Sequence, residues 1–111
     1  MVKEKNLNFK NKDLRQLKIF KSKLSNHMPI NKIILFGSFA KGKAHEFSDM
    51  DLIIVSPKFK GKDFRYRPLG FYKYWSLDKP FDFLCYTPEE FNKLKKQITI
   101  VKEAVEKGIE I

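Results

Sequence analysis

Residues 34–55 read ILFGSFAKGKAHEFSDMDLIIV, an apolar run that stops at glycine and serine and resumes behind two acids. INKIILF (30–36) is short, rich in isoleucine and closed by Gly37, the pattern of a buried strand. MDLIIVS (50–56), closed by Pro57, has the same pattern. Asp49 and Asp51 stand two residues apart at the mouth of this second strand, so their side chains leave the same face with Cα atoms about 6–7 Å apart. Like charges so placed repel, and one pKa rises unless a cation joins them. Mg²⁺ takes oxygen ligands and commonly uses one or two carboxylates plus substrate phosphates. Two solvated loop acids are the plain alternative, and the pair alone does not decide between them.

Two features outside the pair favour the cation. Gly37 lets backbone approach a ligand without a Cβ, and Ser38 offers a hydroxyl and an N–H where SFAKG can start a short helix. Such a turn can cradle phosphate oxygens, and Lys41 lies one turn further on. The second feature is Asp82, inside the apolar strand PFDFLCY (80–86). Phe81, Phe83 and Cys85 share one face, with Asp82, Leu84 and Tyr86 opposite. A carboxylate in a strand expected to be central is costly unless it is paired or bound to metal. Were the second and third strands neighbours, Asp82 would complete a three-carboxylate cluster with Asp49 and Asp51. A salt bridge to a lysine is the alternative.

Around this centre the periodicity predicts helices. Leu14, Leu17, Phe20, Leu24 and Met28 recur at helical spacing, with Asn11 as N-cap and Pro29 as terminator. TPEE (87–90) is a capping box with Pro88 in the first helical position. A last helix is expected over 98–107, burying Ile98, Val101 and Val105 and stopping at Gly108, with IEI (109–111) as an edge strand. RPLGFYKYWSL (67–77) reads as a helix, weakened by Gly70, that packs Phe71, Tyr74 and Trp75 on the sheet. Its neighbourhood FRYRPLGFYKYW (64–75) is also where base or partner contacts would fall. The order of elements points to an α/β (α+β) domain with one small sheet flanked by helices.

The composition sets limits. At 111 residues the chain is one domain, 1–111, with 1–10 a tail or a short added strand. No apolar run approaches the roughly 20 residues that span a bilayer, and MVKEKNLNFKNK carries no secretory signal. A lone cysteine, Cys85, fits a core position and a reducing, cytoplasmic setting. The net charge of +10 invites a nucleic-acid partner. It comes almost wholly from lysines spread along the chain, however, which argues against a dedicated nucleic-acid surface. His27 and His45 have no ligand spacing.

GSFAKGKAHEFSDMDLIIV resembles the signature of the DNA polymerase β-type nucleotidyltransferase superfamily: Gly-Ser, ten residues, then Asp-x-Asp. PFDFLCYTPEEF resembles the segment with the third acid in its small, single-domain members, the minimal nucleotidyltransferases. The resemblance spans roughly residues 13–108. It implies a small mixed sheet flanked by helices, with Gly37 and Ser38 binding nucleotide phosphates. Asp49, Asp51 and Asp82 would be the catalytic and metal-binding acids, holding Mg²⁺ (two ions during catalysis). ATP would be the substrate, donating AMP to a hydroxyl of a macromolecular acceptor. Minimal nucleotidyltransferases often pair with a HEPN-family toxin, and within such pairs resemble an antitoxin that adenylylates a toxin tyrosine. The absence of a second domain to hold an acceptor agrees with a protein partner and leaves room for a homodimer. The competing reading is a non-catalytic nucleotide- or partner-binding module that neutralises a toxin by complex formation.

Overall fold

The computed structural model describes residues 11–44 and 48–111. The expectations for residues 1–10 and for His45 lie outside them. Among the described residues four strands form one mixed sheet: β1 (Lys32–Phe36), β2 (Met50–Val55), β3 (Phe81–Tyr86) and β4 (Ile109–Glu110), in the spatial order β3-β2-β1-β4. β1 runs antiparallel to both β2 and β4, whereas β2 and β3 are parallel. The helices are α1 (Asn11–Ser25), the single turn α2 (Ser38–Lys41), α3 (Pro88–Leu94) and α4 (Ile100–Lys107). The expected small mixed sheet flanked by helices is therefore present.

Each face of the sheet has its own apolar layer, because alternate strand residues point opposite ways. Ile33, Leu35, Leu52, Ile54, Phe83 and Cys85 face α1, whose Leu17, Phe20 and Leu24 are buried against them. Ile34, Phe36, Ile53 and Val55 face the other way, beneath Phe91 of α3 and Val101 and Ala104 of α4. Burial pushes the Cys85 thiol up to about 12, consistent with a core hydrophobe. The α3 start is the expected capping box: Thr87 Oγ1 accepts from the Glu90 N–H at 3.1 Å, and Glu90 Oε1 accepts from the Thr87 N–H at 2.8 Å.

Four expectations need correction. Asn11 is the first residue of α1 rather than its cap, and the helix ends at Ser25. Leu24 and its neighbours instead close a turn that carries Met28 back onto the core before Pro29. The segment 67–77 is not a helix: two short 3₁₀ turns, Phe64–Tyr66 and Phe71–Tyr74, flank Gly70, whose left-handed φ of 86° interrupts any continuous helix. Phe71, Tyr74 and Trp75 do pack on the core, as expected. The buried face of α4 is Val101 and Ala104, while Ile98 is 98% and Val105 45% exposed. Thr99 caps the helix by accepting from the Lys102 N–H, which leaves Ile98 outside it and turns Val105 off the buried stripe. Finally, among the described residues β3 lies at the sheet edge and Asp82 is exposed, so burial cost does not explain that acid.

Sequence reasoning missed Arg67, which is buried at 7% exposure. Its Nη1 donates to the Cys85 carbonyl at 3.0 Å and to Glu90 Oε1 at 2.6 Å, Nη2 donates to Glu90 Oε2 at 3.1 Å, and Nε donates to the Lys62 carbonyl at 3.1 Å. One guanidinium thus pins the loop region to β3 and α3. Only its planar fork of donors could satisfy these acceptors together.

Candidate active site

The ends of three strands meet at one edge of the α3/α4 face. β1 terminates at Phe36, which pairs with Asp51, the second residue of β2. In the parallel ladder, Asp51 lies opposite Asp82 of β3. Paired residues of a parallel ladder project to the same side, so the two carboxylates leave the sheet together. Asp49 lies just before β2 and is exposed. The condition under which Asp82 could join the other two acids, neighbouring second and third strands, is met.

Gly37 explains how Asp51 is seated. It caps α2 with φ 76° and ψ −151°, a backbone region essentially reserved for glycine. A Cβ on Gly37 would overlap Asp51 Oδ2 and come within 3.3 Å of its Cγ. The missing side chain is the space that the Asp51 carboxylate occupies. Ser38 opens α2 immediately beyond, and the buried Phe39 anchors that turn to the core. The αL residue Gly42 closes it.

Asp51 is half-buried, and its pKa is raised above the ordinary 3.8, first by desolvation and then by the negative charges of Asp82 and Asp49. This is the electrostatic signature of an acid held among acids. Among the described residues, no three His, Cys, Asp or Glu side chains close on a common point as a metal cage would. The donor chemistry nevertheless fits a hard divalent cation: the candidate ligands are carboxylate oxygens, and desolvation followed by the charges of Asp82 and Asp49 makes an unneutralised Asp51 costly.

Two cavities adjoin the acids. A cleft of about 190 Å³ lies between α2 and α4, with Gly37 and Asp51 in its lining together with Lys41, Glu103 and Lys107. Lys41, singled out from the sequence, donates to Glu103 Oε1 at 2.8 Å. Glu103 and Lys107 were not foreseen, because nothing in the linear sequence brings α4 to the Gly-Ser turn. On the other side, an open groove of about 280 Å³ passes Asp82 between Leu69, Tyr72 and Phe81. Leu69 and Tyr72 are 71% and 69% exposed, within the segment marked for base or partner contacts. No helix among the described residues is long and apolar enough to cross a membrane.

Comparison with known proteins agrees with this arrangement. The family described as nucleotidyltransferase domain matches residues 14–109, which include the Gly-Ser turn and all three acids. A crystal structure from Sulfolobus solfataricus, of a protein whose own description as a nucleotidyltransferase is provisional, superposes with a TM-score of 0.61. The match covers 87% of this chain and 77% of that one at 17% identity, a level that speaks to fold alone. Among curated proteins nothing matches. With a family match over nearly its whole length and the corresponding fold, the chain belongs to the nucleotidyltransferase domain family.

Proposed function

We propose that the protein transfers AMP from ATP to a hydroxyl of a macromolecular acceptor, in a Mg²⁺-dependent reaction centred on Asp49, Asp51 and Asp82. The observation that carries this reading is the register of Asp51 and Asp82 on adjacent parallel strands, with Asp51 seated in the space left by Gly37. Asp49, Asp51 and Asp82 would hold the cation, which would neutralise phosphate charge and polarise the α-phosphate. Gly37 and Ser38 receive the phosphates at the start of α2. Asp82, the exposed acid at the sheet edge, accepts the proton of the attacking hydroxyl. The acceptor oxygen bonds to the α-phosphorus, the bond to the bridging oxygen breaks, and pyrophosphate leaves with that electron pair.

The groove beside Asp82, walled by Leu69 and Tyr72, is the side from which an acceptor would approach. The groove is open and leaves room for a macromolecule to present its hydroxyl beside Asp82; orientation is a large part of the barrier in such a reaction. The resemblance to minimal nucleotidyltransferases makes a tyrosine of a HEPN-family toxin the acceptor to test first, with the protein as its antitoxin. Mixing the two with ATP and Mg²⁺ should add one AMP by intact mass. That gain should vanish in Asp82→Asn. No gain, alongside efficient transfer to a small alcohol or an RNA end, would overturn the assignment of the acceptor.

The second reading, a non-catalytic module that neutralises its partner by binding, is favoured by one observation: the three acids are not drawn together as a closed cage. Calorimetric titration separates the two readings. The enzyme reading requires ATP to bind with Mg²⁺ and to lose affinity in EDTA, since bare acids repel polyphosphate. Equal affinity in both conditions favours the module.

A further inference from the structure

We infer that Lys41, Glu103 and Lys107 form a counter-ion exchange site, in which the terminal phosphates of a nucleoside triphosphate displace the Glu103 carboxylate from Lys41. The juxtaposition is between the end of α2 and one face of α4. Glu103 and Lys107 are one turn apart on α4, and both line the cleft that contains Gly37 and Asp51. The inference rests on the proposed reading that Gly37, Ser38 and Asp51 receive the triphosphate, and it adds two α4 residues outside the sequence signature, Glu103 and Lys107, to the place where the terminal phosphates lie.

Charge and rigidity support the exchange. The cleft lining carries two lysines, Lys41 and Lys107, and two acids, Glu103 and Asp51. Lys41 and Glu103 are paired at 2.8 Å, but their side chains are 43% and 48% exposed. Solvent-exposed pairs of this kind contribute little and are easily exchanged. A terminal phosphate carries more charge than a carboxylate and can accept from both lysines together. Glu103 is ionised at neutral pH, as a carboxyl of ordinary value 4.5 is, and its hydrogen bond from Lys41 lowers its pKa further. Before ligand arrives, this bond keeps the Lys41 ammonium turned toward α4 across the cleft. The wall itself is firm: a Cβ at Gly108 would meet Ile34 Cγ2 at 2.7 Å and the Leu35 carbonyl at 2.8 Å, so the end of α4 sits directly against β1. Lys107 therefore projects from a fixed base.

The experiment is calorimetric titration of wild type, Glu103→Gln, Lys41→Gln and Lys107→Gln with inorganic pyrophosphate, ATP and AMP, each with Mg²⁺. Glu103→Gln should tighten pyrophosphate and ATP about two- to fivefold, by removing the competing anion. Lys41→Gln and Lys107→Gln should each weaken them by a similar or larger factor, and AMP should change by less than about twofold in all variants. In transfer assays, Glu103→Gln should lower KM for ATP with little change in kcat. Weaker or unchanged pyrophosphate binding in Glu103→Gln would overturn the exchange, as would lysine variants that shift AMP as much as pyrophosphate. The expected binding pattern without any nucleotide transfer would leave the exchange site standing and sink the proposed enzyme. No binding of pyrophosphate or ATP to wild type would sink both.

Discussion

Replacing Gly37 with alanine tests how the Asp51 carboxylate is seated. Two costs are separable. The backbone at φ 76° and ψ −151° lies where any residue with a Cβ is strained, at about 1–3 kcal/mol. The new methyl also overlaps Asp51 Oδ2, so the carboxylate must turn aside, and a displacement of about 30° from a side-chain minimum costs about 0.5–1.5 kcal/mol. Together they amount to roughly 1.5–4.5 kcal/mol, against a total stability of about 5–15 kcal/mol for a domain of this kind. The variant should therefore fold, but melt roughly 10–25 °C lower. Urea unfolding of a double-mutant cycle assigns the parts. In an Asp51→Ala background the overlap is gone, so Gly37→Ala should cost less there by about 0.5–1.5 kcal/mol, with the backbone part unchanged. An unaltered urea midpoint in Gly37→Ala would refute the backbone argument. Equal cost in both backgrounds would refute the claim that Gly37 is absent of side chain to make room for Asp51.

Three further outcomes follow from the electrostatics and packing. Asp51 has a raised pKa, so the folded state binds its proton more tightly than the unfolded chain; ionised Asp51 thus opposes folding, and stability falls as pH rises from about 3.8 through the raised value. Asp51→Asn should accordingly raise the melting temperature of metal-free protein at pH 7 and not below pH 3.8, while abolishing transfer from labelled ATP. Glu90 has the opposite sign: the Arg67 hydrogen bond lowers its pKa, so its contribution is present above 4.5 and is lost as pH falls. Arg67→Met should reduce that acid-side slope to the part the Thr87 N–H supplies, and cost about 2–3 kcal/mol in urea, less than for a wholly buried pair because the Glu90 side chain is 42% exposed. The Cys85 thiol, buried and pushed up to about 12, should react with a disulfide reagent at pH 8 only as fast as the protein opens, and immediately in denaturant.

The sequence disclosed the elements whose signals are local. Three isoleucine- or phenylalanine-rich runs bounded by Gly37, Pro57 and Thr87 became β1, β2 and β3, and the capping box of α3 formed as its residue spacing requires. The acids were legible because Asp-x-Asp beside an apolar run conflicts with burial unless it has a use. What was hidden depends on tertiary placement. Asp82 was noticed for the cost of a charge in a central strand, yet β3 lies at the sheet edge, where that cost is absent; the residue matters through its register with Asp51 instead. Arg67 reads in sequence as one base among aromatics, and its burial depends on carbonyls and a carboxylate contributed by Lys62, Cys85 and Glu90. The α4 stripe was misread because Ile98 and Val105 fit a helical period, and only the Thr99 cap shows where the helix begins.

The position of Asp51 links folding to chemistry. It continues the row of Ile53 and Val55, which α3 and α4 cover completely. Two residues further into the strand, an ionised carboxylate would lie beneath those helices without water, and the group would fold only as the neutral acid. Two residues earlier, at Asp49, the side chain is exposed and its field is screened. Asp51 stands at the border, dry enough for its charge to be costly and open to the cleft beside Gly37. The low local dielectric and the neighbouring acids that raise its pKa are the same conditions that strengthen its attraction for a cation or any positive centre. Its cost to folding and the cation binding proposed for it therefore have one electrostatic cause. A substitution that relieves the first must give up the second, which is why Asp51→Asn should stabilise the protein and silence it together.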